Sequence, residues 1–397
     1  MKIKLFILCT LCVALFMFCA CEEPISPNKY ADKTNLWPAA DPTGEKVGYI
    51  NEKGEMVIPA QYYTAYHFSG GVACVVTMDN KAQFINKKGE VVFTLPAGYN
   101  CDPYLSNGGR RFWHDFYCGM YDENFNVIIP DLFHRNLGPM SKEGLTYFLK
   151  SDGEGFYNRK GEVVLYNPYD SITRQPEQFY YEEDGFHEGR AIVRSRRHID
   201  YYGAINTRGE LVMDTIYKNL IYVGSGLFAY QLPGDDYSFW GLLDVDGNQL
   251  TEQIYNQGYY DSNGDNGLVP ITDENRYVCY VDRTGTKVIQ TSFIGTGFPF
   301  HEGAAWANIY DPSDHTAGYV LLDESGNILW KIENDGRFLS VLHNGLCAII
   351  EDGIVKYVDK NKNCVYSWKR AGYTPFDRPF YMPAINENNI INDKIYE

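Results

Sequence analysis

The segment GYINEKGEMVIPAQY, Gly48 to Tyr62, decides how this chain is read. Two short apolar runs, one ending at Ile50 and one beginning at Met56, flank the polar stretch Asn51-Glu52-Lys53-Gly54. Short strands on either side of a glycine, which takes positive φ at little steric cost, form the pattern of a β-hairpin with a tight turn. The pattern returns as AQFINKKGEVVFTLP from Ala82, CGMYDENFNVIIP from Cys118, GFYNRKGEVVLY from Gly155 and GAINTRGELVMDTIY from Gly203. It continues as WGLLDVDGNQLTEQIY from Trp240, CYVDRTGTKVIQ from Cys279, GYVLLDESGNILW from Gly318 and KYVDKNKNCVYSW from Lys356.

The turn position falls at Gly54, Gly89, Phe125, Gly161, Gly209, Gly247, Gly285, Gly326 and Lys362, at intervals of 35, 36, 36, 48, 38, 38, 41 and 36 residues. A near-constant period of this length marks a repeat architecture, in which no unit can bury its faces alone. Phe125 and Lys362 depart from the glycine rule, so their turns are expected to differ or to be longer. Between hairpins comes a linker, then a glycine and a small or apolar run, as in GGVACVV, EGLTYFL, EGRAIVR, EGAAWANI and NGLCAII. That run predicts a further strand. A tyrosine-centred stretch such as DTIYKNL adds another, giving three or four strands per unit.

A Gly-Tyr-Ile-like strand, an Asn/Asp-x-x-Gly turn, Val-Ile-Pro, a Tyr, and then Phe-x-Glu-Gly-x-Ala together resemble the WG repeat family. Trp240-Gly241 keeps the Trp-Gly pair literally; Val47-Gly48, Cys118-Gly119 and Tyr202-Gly203 are degenerate forms. The resemblance covers about Leu36 to Tyr373. It implies a β-rich interaction scaffold of exported bacterial type and supplies no catalytic residue to carry over.

The expected fold is therefore all-β, built from tandem repeats of about 35 to 40 residues that suit the blades of a β-propeller-like ring, with an open β-solenoid as the alternative. The N-terminal strand, in NLWPAADPTGEKVGYI, is expected to complete a C-terminal blade and so close the ring and cover its edges. The domain layout read from the sequence is residues 1–20 signal peptide, 21–33 anchor and linker, 34–378 a repeat domain of about nine units, and 379–397 a C-terminal tail.

Lys2 and Lys4 precede an apolar run from Leu5 to Phe18, which reads as a targeting segment too short for a comfortable membrane span. FCAC, with Ala20 before Cys21, resembles the lipobox of bacterial lipoproteins and implies cleavage before Cys21 with a lipid on its thiol. Glu22 and Glu23 resemble the surface-export signal of Bacteroidetes lipoproteins. The expected location is the outer membrane, facing the periplasm or the cell surface, with no membrane contact beyond the lipid.

Loss of Lys2 and Lys4 takes the formal charge from −16 to −18. Such a surface repels phosphate backbones and argues against nucleic acid as a partner. Past the lipobox, Cys74, Cys101, Cys118, Cys279, Cys347 and Cys364 remain, without a Cys-x-x-Cys pair for zinc. Buried free thiols are expected, and no cofactor motif is present: there is no Gly-rich phosphate loop and no G-x-S-x-G elbow.

FHEG occurs twice, at Phe186–Gly189 and Phe300–Gly303. A histidine beside a glutamate suggests metal or acid–base chemistry. Both copies, however, occupy the position held elsewhere by FSGG, MSKEG and LHNG, which makes them a turn before a strand, with the phenylalanine plugging the space between units. DSNGDNG offers Asp261, Asn263 and Asp265 at alternating positions as a weak calcium candidate, but its glycine comes one residue late and Thr272 stands where a bidentate Glu belongs.

The longest interval holds EQFYYEEDG and then RSRRHID, read as an insertion. Its Arg194, Arg196, Arg197 and His198 form the one basic cluster of an acidic chain and a candidate binding loop, with Glu182, Glu183 and Asp184 as local ion-pair partners. The functional expectation is a non-enzymatic, lipid-anchored scaffold binding protein or glycan. The alternative is a glycan hydrolase or lyase with paired carboxylates at the mouth of the ring.

Overall fold

The computed structural model describes residues 35–133, 136–169, 179–196, 201–234, 239–256, 264–311, 316–332 and 336–369. Among them are strands and turns and no helix, and the strands form eight sheets arranged as a β-propeller. Every pairing within a sheet is antiparallel and joins strands consecutive in the chain.

All nine hairpins form, and their turns are alike. The amide of Gly54 donates to the Asn51 carbonyl at 3.0 Å, and that of Gly161 to Asn158 at 2.9 Å. The first turn residue also caps the turn through its side chain: Asn51 Oδ1 accepts the amides of Lys53 and Glu55, and Asn51 Nδ2 donates to the Glu55 carboxylate at 2.8 Å. Where an Asn leads, a Glu stands four residues on, as in Asn86–Glu90, Asn158–Glu162 and Asn206–Glu210. In four of the five turns that an Asp leads, the amide has moved to the fourth position, as in Asp122–Asn126, Asp244–Asn248, Asp323–Asn327 and Asp359–Asn363; in the fifth, Asp282 is followed by Thr286 and takes the Thr284 hydroxyl instead. One carboxylate and one amide meet in both the Asn–Glu and the Asp–Asn arrangement, whereas two carboxylates would repel.

The turns at Phe125 and Lys362 do not differ, contrary to expectation. Both residues take the left-handed conformation of the glycines they replace, with φ of 63° and 66°, and donate to the carbonyls of Asp122 and Asp359. A left-handed L residue costs about 1–2 kcal/mol, and each side chain offsets this by contacts that glycine cannot make. The Phe125 ring stacks on Phe93 at 4.3 Å and lies under the Arg110 guanidinium. Lys362 Nζ binds the Lys331 carbonyl and Glu351 and sits over the Trp330 ring.

The repeat read from the sequence straddles two sheets. Val47–Ile50 and Met56–Tyr62 close the first sheet, while the next strands, Thr64–Ala65 and Ala73–Val76, open the second. Each unit thus binds neighbouring sheets covalently. In one place the crossing is unbroken: Lys287–His301 is a single strand that pairs first with Tyr277–Val281 and then with Ala304–Asp311. The sheet it belongs to has six strands and carries the seventh and eighth hairpins, which is how nine hairpins are distributed over eight sheets.

The ring closes, but not by strand exchange. Trp37–Ala40 pairs with Val47–Ile50 in the first sheet, and the last sheet is built from its own four strands, Arg337–Phe338 to Cys364–Lys369. Closure is by side chains. The fully buried Trp37 donates from Nε1 to the His343 carbonyl at 2.9 Å, Tyr357 donates to the Pro38 carbonyl and Tyr366 to the Ala40 carbonyl. Tyr49 and Ile58 of the first hairpin share one apolar cluster with Leu346, Tyr357 and Trp368 of the last. Comparable clusters lie between the other neighbouring units, so the core sits between sheets around the ring. The fourth strand of each unit is outermost: its valines, among them Val91, Val92, Val163 and Val164, are exposed.

Candidate functional site

Antiparallel order sorts the connections into two ends. Turns between first and second strands, and the Asn/Asp-x-x-Gly turns between third and fourth, lie at one end, here the turn end. Links between second and third strands, and the crossings from sheet to sheet, lie at the other, the loop end.

The turn end explains FHEG. Glu188-Gly189 and Glu302-Gly303 are two-residue turns in which both residues have positive φ, the type that matches strand twist. Asn107-Gly108, Ser225-Gly226 and Asn344-Gly345 repeat it. Phe186 and Phe300 are buried against the preceding unit, on Phe156 at 4.7 Å and Tyr280 at 4.8 Å, as Phe68 is on Tyr49 at 5.1 Å.

The acidic residues of these turns reach forward to the next unit. Glu302 accepts the amides of Asn344 and Gly345 at 2.6 and 2.7 Å, and Glu143 accepts that of Gly189 at 2.7 Å. Glu188 takes the Tyr222 hydroxyl and the Arg283 guanidinium. The histidines are packing residues with separate neighbours: His187 stacks on Tyr222 at 4.5 Å, and burial holds His301 below the usual histidine range.

Asp265, of the weak calcium candidate, belongs to the same stitching, since its carboxylate accepts the Glu302 amide at 2.6 Å. Asp261 and Asn263 lie outside the described residues, as does Cys21. No group of three or more His, Cys, Asp or Glu placed to hold a metal occurs among the described residues. The six described cysteines are free thiols; burial pushes those of Cys74, Cys279 and Cys347 up to about 12.

At the loop end regularity stops. Links between second and third strands run from two residues, Asp115 and Phe116, to the eight of 232–239, against four or five in the Asn/Asp-x-x-Gly turns. Met78 and Phe116 project from such links, and Tyr117 beside Phe116 is also exposed.

Much of the segment read as an insertion is sheet: Phe179–His187 and Arg190–Ser195 are paired strands, and a register shift between Tyr181 and Phe186 takes up extra residues within the first of them. Arg194, on the second of these strands, lies 3.5 Å from Glu182 and over the Tyr180 ring, and Arg196 follows at the strand's end. Arg197 and His198 lie outside the described residues.

Two polar groups at the loop end were not visible in the sequence. Glu154 is buried between the fourth and fifth units, where its carboxylate accepts from Tyr147, Asn167 and the Tyr181 amide. Burial raises its carboxyl above the usual range despite these donors.

In the third unit, Tyr99 and His114 converge on one oxygen of Asp131. The Tyr99 hydroxyl donates to Oδ2 at 2.9 Å and His114 Nε2 lies 3.0 Å from the same atom. Tyr99, His114 and Tyr117 form a column, His114 tilted on Tyr99 at 4.3 Å and stacked on Tyr117 at 5.2 Å. The hydrogen bonds from His114 and then Tyr99 hold the Asp131 carboxyl below its ordinary value. These residues come from three strand ends and a crossing, so no sequence spacing announces them.

Residues 48–81 match the family model of the WG containing repeat, one repeat length beginning at Gly48. No curated protein matches the chain. Among solved structures, a eukaryotic initiation factor is similar over 85% of this chain and 96% of its own, with 11% identity and a TM-score of 0.54, which supports the propeller fold. BamB from Moraxella catarrhalis (11% identity, 74% of this chain, 95% of its own, TM-score 0.38) and dipeptidyl peptidase 4 from Porphyromonas gingivalis (10%, 88%, 61%, 0.46) are more distant.

Proposed function

We propose that this protein is a non-enzymatic binding scaffold of the bacterial cell envelope, an outer-membrane lipoprotein anchored through Cys21, which engages a protein or glycan with the loop end of its ring. One observation carries the reading: links of unequal length, two of which expose Met78 and Phe116, lie at one end, while the other end consists of similar turns among which Glu143 and Glu302 hold one unit to the next. A propeller divides labour in this way when its sheets supply rigidity and its links supply contacts.

The alternative, a glycan hydrolase or lyase, needs two carboxylates converging on one bond. Glu154 is desolvated, but its hydrogen-bond partners are tyrosines, an asparagine and a backbone amide. The scaffold reading therefore stands first.

The test is recovery of envelope partners by the mature ring after cross-linking. One variant carries Met78→Ser with Arg196→Ser at the loop end; a second carries Lys53→Ser with Lys88→Ser at the turn end; a third replaces 170–178 by a short Gly-Ser linker, leaving the strands from Phe179 intact. Loss of partners with the first or third variant and retention with the second is the expected result. Unchanged recovery with both loop-end variants would remove the proposal. Metabolic labelling with a radioactive fatty acid, abolished by Cys21→Ala, tests the anchor.

A further inference from the structure

The third unit presents a surface whose chemistry is more specific than a general loop-end contact. Asp115 and Phe116 form a two-residue link in which Asp115 takes φ of 48°, and Phe116 is thrust outward at 77% exposure. An aromatic ring held in water by a tight turn forgoes about 2 kcal/mol of burial that a polar residue would not have sought. It adjoins Tyr117, itself exposed, and through Tyr117 the column that runs to His114 and Tyr99.

The carboxylates beside this platform, Asp131 and Asp115, are acceptors. His114 is held between the two carboxylates, its Nε2 3.0 Å from Asp131 Oδ2 and its Nδ1 3.8 Å from Asp115 Oδ2. Both donors to Asp131 fall on Oδ2, so Oδ1 takes neither of them. Asp115 is 83% exposed in its side chain.

We infer that Tyr99, His114, Asp115, Phe116, Tyr117 and Asp131 form a binding site for a neutral pyranose of a glycan. The sugar's C–H face lies on Phe116 and Tyr117, and its hydroxyls donate to Asp131 Oδ1 and Asp115. The inference rests on the loop-end reading and narrows it. An aromatic face beside fixed acceptors matches a polyol, which brings an apolar face and several donors at once. An anionic ligand would meet two carboxylates. A cationic ligand would be drawn to the same two carboxylates, and the trilysine arm of the experiment distinguishes it.

The experiment applies the mature ring to an array of neutral, sulfated and sialylated glycans and to trilysine, and then titrates the best neutral ligand by calorimetry. Binding of a neutral glycan is expected, insensitive to added salt, reduced about tenfold or more by Phe116→Ala and Phe116→Leu and retained by Phe116→Trp. The substitutions lie in an exposed turn, and unchanged thermal unfolding would confirm that the ring is intact. Failure to retain any neutral glycan overturns the inference. So does binding that Phe116→Ala leaves unchanged, or preference for trilysine or a sulfated glycan. Envelope partners lost with Met78→Ser/Arg196→Ser but kept with Phe116→Ala would leave the scaffold reading in place and remove only the sugar site.

Discussion

At the turn end, a Cβ on Gly54 would overlap the carbonyl oxygen of Val365, and one on Gly161 that of Ile128. At the loop end, Gly98 and Gly234 have no atom within 4 Å of that position. All four have positive φ, between 75° and 86°. Glycine is thus needed twice over where hairpins nest against the preceding unit, and once where links face solvent. The nesting of Gly54 on Val365 also joins the first hairpin to the ninth, so the same contact that repeats around the ring closes it.

This contrast between a knitted end and an open one can be broken in four ways. The largest effect is expected at the seam. Trp37→Ala removes a buried indole and its hydrogen bond to His343, and urea denaturation should show a loss of about 3–5 kcal/mol. A loss under about 1 kcal/mol would mean that closure does not depend on side-chain packing.

Next, Gly54→Ala should cost about 2–3 kcal/mol and Gly98→Ala about 1 kcal/mol, since only the first adds a steric overlap to the backbone strain. Equal costs in the same denaturation assay would contradict the nesting.

Glu154 and the turn carboxylates should respond oppositely to pH. The folded carboxyl of Glu154 lies above 4.5, so its contribution is present below about pH 4.5 and is lost as pH rises through the folded value. Glu154→Gln should accordingly raise the Tm by about 2 °C at neutral pH, with the advantage vanishing near pH 4. Asp282, by contrast, is held below 3.8 by the Thr284 hydroxyl and by backbone amides, so its contribution is present above that pH and lost as pH falls through the folded value. A Tm difference independent of pH would show that Glu154 is not desolvated.

The smallest effect concerns the turn code. Asn51→Asp puts two carboxylates together with Glu55 and should lower the Tm by about 1–2 °C; adding Glu55→Asn recreates the Asp–Asn arrangement of Asp122 and Asn126 and should restore it. Additive losses would deny the pairing.

Much of the fold was legible because the hairpin is a local device. Its capping side chain, its left-handed residue and its amide–carboxylate pair lie within five residues, so each copy carries its own instructions. Misreadings arose where distant residues decide. Phe125 and Lys362 looked like broken turns because the contacts that offset their strain, with Phe93 and Trp330, come from other strands. The segment from Phe179 to Ser195 looked like an insertion because polar residues and a register shift between Tyr181 and Phe186 blur its alternation.

From sequence alone, then, the chain is determined to be a nine-hairpin β repeat, and FHEG to be a turn, because turn chemistry and strand periodicity act over a few covalent neighbours. Tertiary structure alone decided that the ring closes through Trp37, that Lys287–His301 merges two units, that Glu302 and Glu143 stitch one unit to the next, and that Tyr99, His114 and Asp131 meet. Those contacts join residues separated by up to more than 300 positions, and they exist only once each sheet has found a neighbour to bury it.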